Sequence, residues 1–233
     1  MVAPYYEEAG IAIYCADCRA ILPQLAQVDL VLTDPPYGIG ADMRQSQRAN
    51  TQGRNARCLS RDYGKSNWDQ SPPAAWLFGL LCEVARFQII WGGNFFALGP
   101  SSCWLVWDKA NGDNTYADCE LAWTNLDKAV RRIVHQWHGM LRVGNEARFH
   151  PTQKPLAVMK WALQHAPDDC ELILDPFMGS GTTLVAAKQL GRRAIGIEIE
   201  QRYCDIAIER LRQNMLPLAE HSDAEPIQDA LIW

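Results

Sequence analysis

Apolar residues recur along this chain in two rhythms. Short, nearly continuous aliphatic or β-branched runs stand at Gly10 to Cys15, Val28 to Thr33, Phe87 to Trp91, Cys103 to Trp107, Leu121 to Trp123, Leu172 to Leu174 and Ala194 to Ile199. Runs of that length and type predict strands buried on both faces. Between several of them, at Ala74 to Arg86, Pro155 to His165, Gly181 to Gly191 and Gln201 to Met215, apolar residues fall at three- and four-residue steps, which predicts helices, with Gly191 as a stop. Buried strands alternating with helices predict an α/β fold with a mainly parallel sheet covered on both sides. The 233 residues suit a single domain spanning 1–233, long enough to bury a core without disulfides or metals.

Two stretches break the rhythm. Residues 38–73 are rich in Gly, Ser, Asn, Gln and Arg and poor in apolar side chains, too long for an ordinary connection, and are expected to form a mobile functional loop. Residues 108–149 mix turn signals such as Asn111-Gly112-Asp113-Asn114 with Trp123 and Trp137, and read as a small lobe inserted beside the sheet. The tail, 217–233, is acidic and poorly periodic.

Composition narrows the class without changing the picture. Hydrophobic residues make up 48% and charged residues 21%, ordinary for a globular protein. No stretch of eighteen apolar residues occurs, and the first residues carry Glu7 and Glu8 instead of a basic, then apolar, leader. A cytoplasmic location without a membrane is expected. The eight cysteines are scattered, several inside apolar runs where a thiol packs as a small hydrophobe, so a reducing compartment fits. Cys15 and Cys18 have neither a second cysteine pair nor suitably spaced histidines, and no metal is expected.

Charge changes the picture once it is divided. The chain as a whole carries −5, yet residues 42–65 hold Arg44, Arg48, Arg54, Arg57, Arg61 and Lys65 against Asp42 and Asp62, a local +4. Residues 128–148 hold Lys128, Arg131, Arg132, Arg142 and Arg148 against Glu146, again +4, while residues 198–233 carry −5. One basic surface on an acidic protein suits a nucleic acid, and solvated loops would give the same balance.

Three segments carry chemistry. Asp34-Pro35-Pro36-Tyr37 lies just past a predicted buried strand, where open α/β sheets bind ligands. Two prolines end the strand and stiffen the corner, which holds an acid, a spare carbonyl and an aromatic ring together. Asp34 and the Pro35 carbonyl suit the two protons of a base amine, and Tyr37 suits its ring. The second segment, Leu172 to Thr183, reads strand, glycine turn and helix start, with Thr182 placed to satisfy orphan amides at the helix N-terminus. It completes neither phosphate motif: Gly181 stands where a P-loop lysine belongs, and Leu184 where a dinucleotide fingerprint needs a small residue. Asp175 beside this loop suits a cationic ligand better than a pyrophosphate. The third segment ends the next strand in Glu198, with Glu200 as its alternative, placed to accept from ribose hydroxyls. Asp17 closes the first strand in the same way, so four predicted strands end in carboxylates.

The DPPY and DPFMGSGTT segments in that order, with His150-Pro151-Thr152-Gln153-Lys154-Pro155 upstream of the second, resemble the permuted family of DNA N6-adenine and N4-cytosine amino-methyltransferases. Trp104 to Lys109 resembles a later strand of that family. The resemblance implies a Rossmann-like, seven-stranded class I methyltransferase sheet, circularly permuted, that uses S-adenosylmethionine on DNA. It implies a catalytic motif at Asp34, Pro35, Pro36 and Tyr37 and a cofactor loop formed by Asp175, Pro176, Phe177, Gly179, Gly181 and Thr182. Glu198 would hold the ribose, Asp17 and Cys18 would lie near the adenine, and the segment with Lys154 would flank the methionine part. DNA would meet the basic residues of 42–65 together with Arg131 and Arg132, the 108–149 insert would be a small target-recognition region, and pairing into homodimers stays open. The expected reaction is direct transfer to an extruded base, without metal or covalent intermediate, on adenine N6 in preference to cytosine N4.

Overall fold

The structure is a computed structural model that describes residues 2–40, 69, 71–112, 117–138, 141–142, 149 and 152–213. In chain order the strands are β1 (Tyr6–Glu8), β2 (Ile11–Cys15), β3 (Val28–Thr33), β4 (Ala85–Trp91), β5 (Trp104–Asp108), β6 (Cys119–Thr124), β7 (Arg131–Val134), β8 (Trp137–His138), β9 (Leu141–Arg142), β10 (Leu172–Asp175) and β11 (Arg193–Glu198). The helices are α1 (Cys18–Ile21), α2 (Ala75–Val84), α3 (Leu156–His165), α4 (Thr182–Gln189) and α5 (Gln201–Gln213).

One sheet organises these elements, in the order β1-β2-β11-β10-β3-β4-β6-β5-β7. The strands from β2 to β4 in that order are mutually parallel, and β6 runs antiparallel to both its neighbours. The seven expected strands, β2 through β5, form the class I methyltransferase sheet, and the chain enters it at β2, which is the permutation. Two further strands extend it, β1 antiparallel at one edge and β7 parallel to β5 at the other. Both had escaped the apolar pattern because Tyr6–Glu8 and Arg131–Val134 are mostly exposed.

The alternation of buried positions explains the layers. Ile11, Ile13, Leu30, Leu32, Ile89 and Trp91 point to one face, where α3, α4 and α5 bring Val158, Leu163, Leu184, Ala207 and Leu211. Val31, Ile90, Leu174 and Ile197 point to the other, against Ile21 of α1 and Leu77, Phe78 and Leu81 of α2. Each fully buried Leu or Ile contributes about 1.5–3 kcal/mol relative to exposure, which is why these strands tolerate no polar alternation.

Two expectations need correction here. The helix expected to reach Arg86 ends at Val84, because Ala85 is already extended and begins β4 without a connecting loop. The stretch 108–149 is not all insert: β6 lies inside the main sheet between β4 and β5, and β7 closes its edge, so among the described strands of this stretch the β8–β9 pair alone stands apart from it. Residues 42–65 and 217–233, including Arg44, Arg48, Arg54, Arg57, Arg61 and Lys65, lie outside the described residues. Among the described residues no helix is long and apolar enough to cross a membrane.

Candidate active site

The functional side chains gather at one edge of the sheet because parallel strands end together. Asp17 follows β2, Glu198 ends β11, Asp175 ends β10 and Asp34 follows β3, so all four carboxylates stand at the carboxyl edge of adjacent strands. Strand order reverses between the parallel strands β10 and β3, the switch point at which such sheets open a crevice. Two contacts fix the register there. Asp29 on β3 accepts the amides of Glu171 and Leu172 at 3.0 and 2.8 Å where β10 begins. At the other end the Thr33 hydroxyl donates to Asp175 at 2.7 Å.

Two adjoining cavities open at this edge. One, of about 290 Å³, is lined by Asp34, Lys154, Asp175, Gly179, Thr182 and Glu198 among others. The second, of about 470 Å³, is lined by Asp17, Cys18, Pro72, Trp76 and Pro176. Pro36, Phe177, Glu198 and Ile199 belong to both, so a long ligand can pass from one to the other.

Glu198 stands at the junction. Its carboxylate accepts the Gly179 amide at 3.0 Å and the Glu200 amide at 2.8 Å, and burial pushes it up to about 7 against those bonds. Glu200, the alternative, lines the first cavity as an exposed side chain. Asp175 is buried and pushed up to about 6 by burial, while the Thr183 and Thr33 hydroxyls and the Phe177 amide bind it and pull the other way. Its first task is therefore to tie the ends of β3 and β10 to the start of α4. Asp17 caps α1 by accepting the Arg19 amide and pairs with the Arg19 guanidinium, which holds it below the usual carboxylate range. Cys18 beside it is buried, and burial raises its thiol to about 11, which leaves it no nucleophilic character near neutral pH.

The glycine turn is shaped by α5. Gly181 has φ +77°, and a Cβ there would sit 2.7 Å from the Cβ of Ala207, so any side chain would push the loop off the helix. Thr182 does not cap α4 as expected. Gly181 occupies the cap position and so offers no capping side chain, and the Thr182 hydroxyl accepts Arg210 at 3.0 Å. The positive end of α4 thus faces the first cavity without a capping side chain of its own, a setting for a carboxylate. Arg210, which sequence reasoning missed, is buried, binds the Ser180 carbonyl at 2.6 Å and lies over the Phe149 ring.

The corner at Asp34 is more crowded than its sequence suggested. The Tyr37 hydroxyl donates to Asp34 Oδ1 at 2.5 Å, and its ring is stacked on Phe95, 4.9 Å between centroids and 16° between planes. Gly92, with φ +68°, lets β4 end directly against that ring. Lys154 lines the first cavity, and its ammonium lies 2.7 Å from Asp34 Oδ1, 2.9 Å from Glu120 Oε2 and 3.0 Å from the Tyr37 hydroxyl, so in this structure it pairs with the corner at Asp34. Asp34 Oδ2 makes no hydrogen bond or ion pair among the described residues, and no backbone amide among them donates to the Pro35 carbonyl. Glu120 was missed because β6 runs backwards: its beginning, not its end, lies at this edge. Arg131 and Arg132 are exposed on the outermost strand, in register with Leu105 and Val106 of β5, and the Arg132 guanidinium reaches to 3.6 Å from Asp108 at the carboxyl end of that strand.

This fold and these cavities define a class I methyltransferase, in which acids at adjoining strand ends and an uncapped helix start frame a ligand carrying hydroxyl, amino and carboxylate groups. The donor set fits S-adenosylmethionine, the cofactor of this class. A family profile described as DNA methylase matches residues 90–209, and the type II methyltransferase M2.DpnII of Streptococcus pneumoniae is 48% identical over 91% of this chain and 93% of its own. The chain therefore belongs to the S-adenosylmethionine-dependent DNA N6/N4 methyltransferase family. The type II methyltransferase M.ScaI of Streptomyces caespitosus is 28% identical over 89% of this chain and 83% of its own. Among solved structures, the M1.HpyAVI–SAM complex matches with a TM-score of 0.51 at 24% identity, over 86% of this chain and 99% of its own. The cytosine-N4-specific PvuII DNA methyltransferase matches with a TM-score of 0.54 at 14% identity, over 89% and 88%. These two likenesses concern the fold alone.

Proposed function

We propose that this methyltransferase acts on the exocyclic N6 amine of adenine in DNA, with Asp34, Pro35 and Tyr37 forming the catalytic corner. The observation that carries the reading is the state of Asp34: one carboxylate oxygen is held by Lys154 and Tyr37, the other has no hydrogen bond among the described residues, and the residue lines the first cavity. An aromatic amine is a poor nucleophile because its lone pair is delocalised into the ring. In this reading Asp34 Oδ2 and the Pro35 carbonyl accept its protons and let the nitrogen become tetrahedral as charge develops. When bound, the cofactor would supply an electrophilic methyl group on its sulfonium, the S–C bond breaking as the N–C bond forms and the neutral thioether leaving. As the N–C bond forms, one amine proton becomes acidic, and Asp34, raised by burial in spite of Lys154, is suited to receive it.

Glu198 and Asp17 are assigned to the ribose and adenine side of the cofactor, and Gly179, Gly181 and Thr182 to its amino-acid end, beside the start of α4. Bringing a duplex base to the corner costs a few kcal/mol of unstacking, offset by stacking in the pocket. Phe95, 47% exposed and stacked on Tyr37, extends the aromatic surface available there. Adenine is preferred to cytosine because, in the family the segment resembles, cytosine-N4 enzymes more often carry serine where Asp34 stands. Nucleoside mass spectrometry of digested DNA after treatment with the enzyme tests the choice. N6-methyladenine is the expected product, and N4-methylcytosine as the main product would overturn the target while leaving the transfer chemistry in place.

A further inference from the structure

The ammonium of Lys154 joins carboxylates from two different parts of the fold. Its side chain is 5% exposed and touches Asp34 after β3 and Glu120 on β6. Glu120 reaches with its other oxygen to Lys109, at the end of β5, at 2.6 Å. Buried charges persist only when paired, and here Lys109, Glu120, Lys154 and Asp34 form a row of alternating sign with no net charge. Glu120 lines neither cavity, and its described partners are the two lysines.

We propose that Glu120 is a positioning residue for methyl transfer: through Lys154 it fixes the Asp34 carboxylate and shares the ammonium that Asp34 would otherwise hold alone. The proposal rests on the reading of Asp34 as the acceptor of the base amine. An ammonium paired with a single carboxylate drains its acceptor strength, and one divided between two leaves Asp34 basic enough to take a proton while still anchoring Oδ1. The charged and titratable groups facing Asp34 are Lys154, Tyr37, Glu120 and, from β10, Asp175. Lys109 stands behind Glu120, and Asp69 faces Tyr37. With Glu120 neutralised, Lys154 pairs with Asp34 alone, so Asp34 ionises at lower pH and becomes a weaker acceptor. With Lys109 neutralised, Glu120 draws harder on Lys154, and Asp34 moves the other way.

The test is single-turnover methylation of DNA across about pH 5 to 9, with cofactor affinity measured by calorimetry on the same proteins. Glu120→Gln is expected to slow transfer about tenfold and to shift the acid limb of the profile to lower pH, with cofactor affinity unchanged. Lys109→Gln is expected to shift the limb to higher pH. A wild-type rate and limb in Glu120→Gln overturns the proposal. So does a slower rate with an unmoved limb, the mark of a merely structural role, or a loss accounted for by weaker cofactor binding. If Glu120→Gln does not fold, Lys109→Gln decides, and an unmoved limb there is the overturning result. Asp34→Ala separates the two levels: a folded variant that still methylates removes the reading of Asp34 itself. An inactive Asp34→Ala beside an unmoved Glu120→Gln limb removes only the role of Glu120.

Discussion

Glu198 shows how one side chain can couple the site to pH. Its carboxyl is held at about 7 in the folded chain against an ordinary 4.5, so between those values the folded state binds a proton that the unfolded state releases. The sign follows from linkage: this group favours the folded chain at low pH, and its contribution is lost as pH rises through about 7. With Glu198 assigned to the cofactor ribose, ligand binding is expected to have the opposite dependence, because ribose hydroxyls donate to an ionised carboxylate and gain less from a protonated one. Cofactor affinity by calorimetry should therefore rise as pH passes through about 7 and then level off, and Glu198→Gln should flatten that rise. An equally steep profile in the Gln variant would remove Glu198 from the ribose.

Among the elements, β4 and the turn after it do more than their apolar pattern announces. The strand ends at Trp91, and Gly92 turns with φ +68° so closely against Tyr37 that a Cβ would lie 2.1 Å from the ring. Gly92→Ala must both adopt a left-handed backbone and displace Tyr37. The conformational part alone costs about 1–2 kcal/mol. The expected outcome is a lower midpoint in denaturant unfolding and a loss of methylation with cofactor affinity retained, since Gly92 lines neither cavity. Unimpaired methylation in this variant would show that the placement of Tyr37 against β4 does not matter to the reaction. The turn between β10 and α4 follows the same logic from the other side of the switch point, where Ala207 of α5 leaves no room for a side chain on Gly181.

At the scale of the whole molecule, a net charge of −5 has to coexist with a polyanionic substrate. Uneven distribution resolves this, since basic residues cluster at 42–65, starting five positions after Tyr37, and the acids weight the C-terminal part. We assign the arginines of 42–65 to DNA phosphates. Neutralising Arg44, Arg48, Arg54 and Arg57 together should weaken DNA binding and flatten its salt dependence by about 0.9 units of log–log slope per lost contact, with cofactor affinity unchanged. Wild-type affinity and slope in that variant would move the DNA contact elsewhere, with Arg131 and Arg132 on the outer strand next to be tested.

The sequence by itself determined the strands that fill the core, the helices between them and the chemistry of each strand end, because buried strands and amphipathic helices leave periodic marks and a motif such as Asp34 to Tyr37 is contiguous. It also carried the family resemblance, for the same reason. The edge strands β1 and β7 left little mark, since an exposed edge need not be apolar. What only the tertiary structure decided was which distant charges meet. Glu120 became part of the corner because an antiparallel strand presents its start at the edge where its neighbours end. Lys154 pairs with Asp34 because a buried ammonium goes to the carboxylates within its reach. Arg210 joined the glycine turn through a helix that begins 22 residues after Gly179. Periodicity records what each element buries, whereas partners of opposite charge are chosen by sheet order and strand direction, which no local pattern encodes.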